Sequence, residues 1–431
     1  MSASSSSSYD VAIVGAGPGG STAAALARRR GWKVLLVEQE QFPRFRIGES
    51  LLPMGNAILQ AAGVWEKVEA AGFFPKYGAT FHSANGQATQ AVDFRNSLIP
   101  GLDRTYQVER SRFDQLLAEH AAALGAEVRM GTRVDSATPV DGGLQLSLSG
   151  PDGSSPVTAR WVIDAGGRLN RMASDVPRET EPSVFPKRVA VYSHFEGVRR
   201  SAGRSEGDTV VVRLKDGWFW LIPLDAEKTS VGLVLTADEL RASGQTPEAV
   251  FAAAVAGSAK LAELCGTAVS VRPYQVTSDY TYFHRQLASG RLLRVGDAAG
   301  FFDPIFSSGV YLSLASAQAA VETIAAAAAD QRALTVREQR RYTRQIKRQA
   351  GTFERLIAAF YDNASFEVFM VPEIPFDLRP GLTAIVAGHS RLTWPLRWRF
   401  YGFLLACAIQ RRLKLPLAPH LQLGDAAVPA A

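Results

Sequence analysis

A short apolar run that closes on a cluster of glycines constrains this chain more than any other feature. Residues 9–14 are mostly β-branched and of strand length, and they end at Gly15-Ala16-Gly17-Pro18-Gly19-Gly20. An Ala-rich stretch, 19–30, reads as a helix, and the apolar run 33–38 (KVLLVE) reads as a second strand. Strand, glycine turn, helix and strand in that order make a βαβ unit. Gly15, Gly17 and Gly20 satisfy the GxGxxG spacing, with Gly19 beside them. The first glycine permits the tight turn and the second lets the backbone approach a pyrophosphate. The third lets helix and strand pack closely, while the helix N-terminus faces the phosphates. Glu38 closes the second strand, where a carboxylate accepts hydrogen bonds from ribose hydroxyls. A dinucleotide site is therefore expected on Gly15, Gly17, Gly19, Gly20 and Glu38.

The rest of the chain is long enough to build on that unit. It has 431 residues, 47% of them hydrophobic and 20% charged, so a large core in two or three lobes is expected and disorder is not. The net charge of +6 suits anionic ligands. No aromatic-basic single-strand motif accompanies it, so no nucleic-acid partner is expected. Cys265 and Cys407 make neither a disulfide framework nor a zinc site, and the six histidines lack ligand spacing. No metal is expected, and a reducing cytoplasm is. Residues 1–8 are a Ser-rich lead with no basic or apolar region of a signal peptide, and no later segment reads as a bilayer span.

Residues 112–124 read as an amphipathic helix. Residues 127–163 alternate in short stretches, broken at Asp141-Gly142-Gly143 and Asp152-Gly153, as a meander would. Between 188 and 235 come several longer strands, expected to form a mostly antiparallel second sheet. Residues 291–296 return as a parallel-type strand, and 309–329 form a long Ala-rich helix. The remainder is helical and Arg-rich, interrupted at Pro372, Pro375 and Pro380.

Three later segments distinguish among dinucleotides. Val162-Ile163-Asp164-Ala165-Gly166-Gly167 resembles the second motif of flavoproteins. Val295-Gly296-Asp297-Ala298-Ala299-Gly300 resembles the third, and Gln107 to Asp114 (QVERSRFD) resembles a flavin-contacting helix start. Together with the glycine turn these resemble the glutathione-reductase-type, aromatic-hydroxylase-like superfamily, which implies FAD. The implied fold is α/β: a Rossmann-like FAD-binding domain, a mainly antiparallel substrate-domain sheet and a helical C-terminal region. The expected FAD-binding domain takes 9–75, 105–175 and 280–340, and the substrate domain 76–104 and 176–279. The helical region is 341–431.

Further motifs narrow the resemblance. Phe45-Arg46-Ile47-Gly48-Glu49-Ser50-Leu51-Leu52-Pro53, the WxWxIP of Trp218 to Pro223, Lys76 in FPKYGA, and Asp303-Pro304-Ile305-Phe306-Ser307-Ser308-Gly309 are similar to the flavin-dependent halogenases. In that family reduced FAD, oxygen and halide yield hypohalous acid, which moves to a separate substrate pocket. The resemblance implies Lys76 as the essential lysine there, and Trp218 and Trp220 as a wall between flavin and substrate. It implies cofactor contacts at Arg46, Ser50, Gln107, Arg110, Asp164, Asp297 and Gly309. Chloride or bromide is expected at Ser308 and Gly309, where a helix start offers free N–H groups. A separate flavin reductase would supply the reduced cofactor. Each of these residues also has a plainer role open to it: a helix cap, a core aromatic pair, a loop lysine.

Tryptophan-type halogenases carry a Glu where this chain has Phe306. Its replacement points to phenols or pyrroles, free or tethered to an acyl or peptidyl carrier protein. Many family members are longer at the C-terminus, so different substrate handling is expected. The segment 394–415 interleaves aromatics, Leu and Arg. It reads as a docking face for an acidic carrier, as a membrane-surface helix, or as a packed amphipathic helix with a solvated Arg face, the last being the expectation. An FAD monooxygenase, a prenyl-type reductase and a non-catalytic flavoprotein are the competing functions on the same fold.

Overall fold

The computed structural model describes residues 8–151, 153–168, 172–183, 185–278, 281–330, 332–372, 374, 376–415 and 417. The first seven residues of the Ser-rich lead, Asp152 and Pro375 lie outside them.

β1 (Ser8–Val14), α1 (Pro18–Arg28) and β2 (Val34–Val37) form the expected unit. β1 sits between β2 and the returning strand Gly153–Asp164, parallel to both. Leu292–Arg294 extends the sheet on one side and Glu127–Arg129 on the other, also in parallel. The register pairs Val14 with Val37 and with Asp164, and Asp164 with Arg294. The carboxyl ends of four strands are therefore level. The glycine turn, Glu38, the 164–167 turn and the 295–297 turn all emerge at one edge, where open α/β sheets bind ligands.

The second sheet runs in the order Val269–Ser270, Arg188–Glu196, Thr229–Thr236, Trp218–Pro223, Thr209–Arg213, Gly78–Ser83, Thr89–Asp93. Its neighbours are antiparallel except for the pair Thr209–Arg213 and Gly78–Ser83. Strand alternation divides its side chains. Trp218, Trp220 and Ile222 join the main core, whereas Phe219 and Leu221 join a separate core with Phe251.

The helix Ser308–Ala328 is long and apolar enough to cross a membrane, which the sequence reading did not anticipate. It lies inside the protein, against α1 and the helix Val336–Tyr361. The last helix, Trp394–Leu413, departs further from expectation. Leu396, Phe400, Phe403 and Cys407 are buried on its inner face, as an amphipathic helix requires. Its outer face carries the expected solvated arginines, Arg397, Arg411 and Arg412, but Trp394, Trp398, Tyr401, Leu405 and Ile409 are exposed along it as well.

Candidate active site

The level strand ends open onto a cavity of about 480 Å³. Gly15, Gly17 and Gly19 line it, and Gly20 lies behind them. Gly15 has a φ of 94°, and a Cβ there would meet the Ala165 carbonyl oxygen at 2.5 Å. At Gly20 a Cβ would lie 1.8 Å from the Gly15 oxygen, so close helix–strand packing excludes a side chain. Gly17 differs. Its φ is −69°, and the atom nearest to a Cβ would be Arg44 Nη2 at 3.7 Å. No protein atom forbids a side chain at Gly17, so its bare backbone is explained by a ligand that must come close. That is the fit a pyrophosphate demands.

The acidic end of the cavity is tightly braced. Glu38 accepts the Ala16 N–H at 2.8 Å and lies 3.4 Å from Arg44. Arg44 pairs with Asp114 at 2.9 Å, and Arg110 holds the same carboxylate through bonds of 2.7 and 2.9 Å. Arg46 lines the cavity and pairs with Glu40. Asp297 lines it too, and burial pushes its carboxyl up to about 6 against the pull of Arg110 and Arg168.

Three expected contacts stand back from the cavity lining. Asp164 is buried behind the wall, where its carboxylate accepts the Gly166 N–H at 3.2 Å and shapes the turn. Gln107 also stands behind the wall, donating to the Gly207 carbonyl and to Thr209 Oγ1, each at 2.9 Å. Ser308 is buried, while Ser307 and Gly309 line the cavity. The reason is local: Ser307 takes a left-handed conformation, φ 55°, and the chain turns Ser308 inward as the helix begins.

Trp218 and Trp220 stand side by side on the cavity wall, with ring centroids 5.9 Å apart. Each is pinned. Trp218 Nε1 donates to the Tyr361 hydroxyl at 2.7 Å, and that hydroxyl donates to buried Asp303 at 2.6 Å. Arg188 covers the Tyr361 ring, 3.8 Å from its centroid, and approaches Asp303 at 3.8 Å. Trp220 Nε1 donates to Ser230 Oγ at 3.2 Å, and its indole occupies the space left by Gly232, where a Cβ would sit 2.2 Å from the ring. Gly232→Ala is therefore expected to displace Trp220 and to cost about 2 kcal/mol of stability. Near-UV circular dichroism and thermal melting read both effects. A spectrum and melting point matching the parent protein would mean that the ring tolerates the methyl group.

Lys76 is 2% exposed and does not line the cavity. Its Nζ donates to Ser50 Oγ at 2.8 Å and to the Leu51 carbonyl at 3.1 Å, and lies 5.4 Å from the Phe94 ring centre. Ser50 does line the cavity and shares a 2.9 Å hydrogen bond with Thr209, which lines it as well. Lys76 thus meets the cofactor chamber through one hydroxyl. Burial pulls its ammonium down to about 7, with nearby Asp208 pulling the other way. Among the described residues no cluster of metal-ligating side chains occurs.

Several residues of this site escaped the sequence reading. Tyr361 lies 143 residues from the Trp218 it holds, Arg188 lies 173 residues from the Tyr361 ring it covers, and Thr209 lies 159 residues from the Ser50 it bonds. His194 forms a buried 2.9 Å pair with Glu49, a cavity residue 145 positions away. No local pattern connects such pairs. Only the sheet order does.

Known proteins match this arrangement. The FAD binding domain family matches residues 8–349. A 1H-pyrrole-2-carbonyl-(peptidyl-carrier protein) chlorinase of Pseudomonas fluorescens is 33% identical over 335 residues, covering 72% of this chain and 74% of the relative. The chain belongs to the flavin-dependent halogenases. A tryptophan 2-halogenase of Chondromyces crocatus is also 33% identical, over 376 residues that cover 84% of this halogenase and 70% of the relative. Among solved structures, the myxobacterial chondrochloren halogenase CndH superposes with a TM-score of 0.77 at 30% identity, covering 93% of this chain and 97% of that one. This halogenase is accordingly an FAD-dependent enzyme.

Proposed function

We propose that this halogenase places chloride or bromide on an electron-rich phenol or pyrrole, free or held on an acyl or peptidyl carrier protein. In this reading it works in the cytoplasm on reduced FAD from a separate flavin reductase. The observation that carries the reading is Lys76, buried and tied through Ser50 to the cavity wall yet outside the cavity. When bound, reduced FAD supplies the electrons with which oxygen converts halide to hypohalous acid.

The chain's own residues do the rest. Gly15, Gly17, Gly19 and Glu38 would hold the cofactor, and Arg46, Arg110 and Asp297 line the same cavity. The helix Ser308–Ala328 begins where Ser307 and Gly309 line the cavity, and its unpaired first N–H groups would hold the halide as a weak anion site. Trp218 and Trp220 keep the aromatic substrate away from the cofactor ring, which suppresses hydroxylation. Lys76 receives the oxidant past Ser50. Its ammonium donates a hydrogen bond to the hypohalous oxygen and polarises the oxygen–halogen bond. The ring carbon takes the halogen, hydroxide leaves as water with the proton from Nζ, and the amine regains a proton from the same carbon. An amine brought near pH 7 can give and regain a proton in one turnover.

Phe306 supports phenol or pyrrole over free tryptophan. It packs against Phe81, Phe360 and Phe369, so the place of the tryptophan-type Glu is aromatic. The test is mass spectrometry of a phenol and pyrrole panel, free and carrier-bound, incubated with this protein, a flavin reductase and bromide. A brominated product is expected. Substrate-stimulated NAD(P)H oxidation by the protein alone, with an oxygenated or reduced product and no bromine, would sink the reading in favour of a monooxygenase or reductase.

A further inference from the structure

The last helix, Trp394–Leu413, buries one face and leaves an apolar ridge on the other. At 100° per residue, Trp394, Trp398, Tyr401, Leu405 and Ile409 fall on one stripe, opposite buried Leu396, Phe400, Phe403 and Cys407. Trp394 is 76% exposed, Leu405 62% and Leu413 60%. From Trp394 to Leu413 the ridge is about 28 Å long. Contiguous exposed apolar surface of that extent marks a contact site.

Charge indicates what it contacts. From residue 378 to residue 424 the sequence has no Asp or Glu and seven basic residues: Arg379, Arg391, Arg397, Arg399, Arg411, Arg412 and Lys414. Arg399 is tied to Asp377, and Arg411 lies 3.9 Å from Asp362. Arg397, Arg412 and Lys414 are exposed beside the ridge. Basic groups therefore stand at both ends, with indoles at one. A second copy of this chain would bring like charges together in either orientation. A convex apolar ridge with aromatic and basic borders fits the headgroup region of a bilayer.

We propose that this helix seats the enzyme on an anionic lipid surface, with its outer face in the interface and its arginines on the headgroups. The seat is independent of the halogenation chemistry. The test is flotation of the full-length, FAD-loaded protein with phosphatidylcholine vesicles and with vesicles containing a third phosphatidylglycerol. The protein is expected to float with the anionic vesicles, more weakly with the neutral ones, and to come off as salt rises. Brominated lipid should quench its tryptophan emission. Trp394→Ser with Leu405→Ser, and separately Arg411→Glu with Arg412→Glu, should each weaken partitioning by about ten-fold or more while the bound FAD spectrum is retained. Three results overturn the proposal. The protein stays unbound with both vesicles. It floats equally well in both variants. Or the ridge variants instead dissociate a dimer, or a complex with an acidic carrier protein, while vesicles capture nothing.

Discussion

Lys76→Met is expected to retain bound FAD and to go on producing hypohalous acid, while halogenated product falls by about a thousand-fold or more. A soluble dye that traps the oxidant, read beside product mass spectrometry, separates the two steps. Equal product yield in variant and parent would remove Lys76 from the mechanism. The same substitution has a second readout. The folded pKa of Lys76 is depressed to about 7 from an ordinary 10.5. Between those values the unfolded chain holds a proton that the folded chain lacks, so stability rises with pH across that window. Below about 7 the cost of the buried charge is fully present. Methionine removes it, so at pH 7 the variant should be more stable by about 1–3 kcal/mol, a gain that fades toward pH 10.5. Loss of chemistry together with a higher melting point is a result that a merely structural lysine would not give.

Gly17→Leu should weaken FAD binding by about a hundred-fold and leave the folded chain otherwise intact. Gly20→Leu, by contrast, should fail to fold, because its Cβ would drive into the Gly15 carbonyl. The difference arises because Gly17 has open space and an ordinary φ, whereas Gly20 is in contact with its own strand. Flavin absorbance after dialysis and far-UV circular dichroism are the measurements. A yellow, saturated Gly17→Leu protein would show that the pyrophosphate lies elsewhere.

Most of the fold was readable because it is written in local periods. The βαβ unit, the meander, the second sheet and the core helix each carry their own apolar spacing. The glycine turn was readable in its sterics as well, since Gly15 needs a left-handed φ and Gly20 a close approach to the strand. What sequence did not show is what long-range packing decides. Tyr361 is pinned to Trp218 by a fold that joins a C-terminal helix to a sheet strand 143 residues earlier. Ser307 and Ser308 exchange places because one left-handed residue rotates the helix start. Asp164 and Gln107 resemble contact residues in sequence and stand one layer back in space. On the last helix, aromatics and arginines alternate in a way that composition reads as a polar outer face. The helical angle shows that the aromatics themselves point outward.

The hydroxyl of Tyr361 has a consequence for how such enzymes vary. It stands at the end of the helix Val336–Tyr361, beyond the part of the chain that cradles the cofactor, yet it fixes the indole of Trp218 and is itself held by Asp303. The tail is therefore built into the foundations of the indole wall that, in the proposed mechanism, stands between substrate and cofactor. Exchanging tails between relatives would graft a different hinge onto that wall, and with it a different ratio of halogenated to oxygenated product.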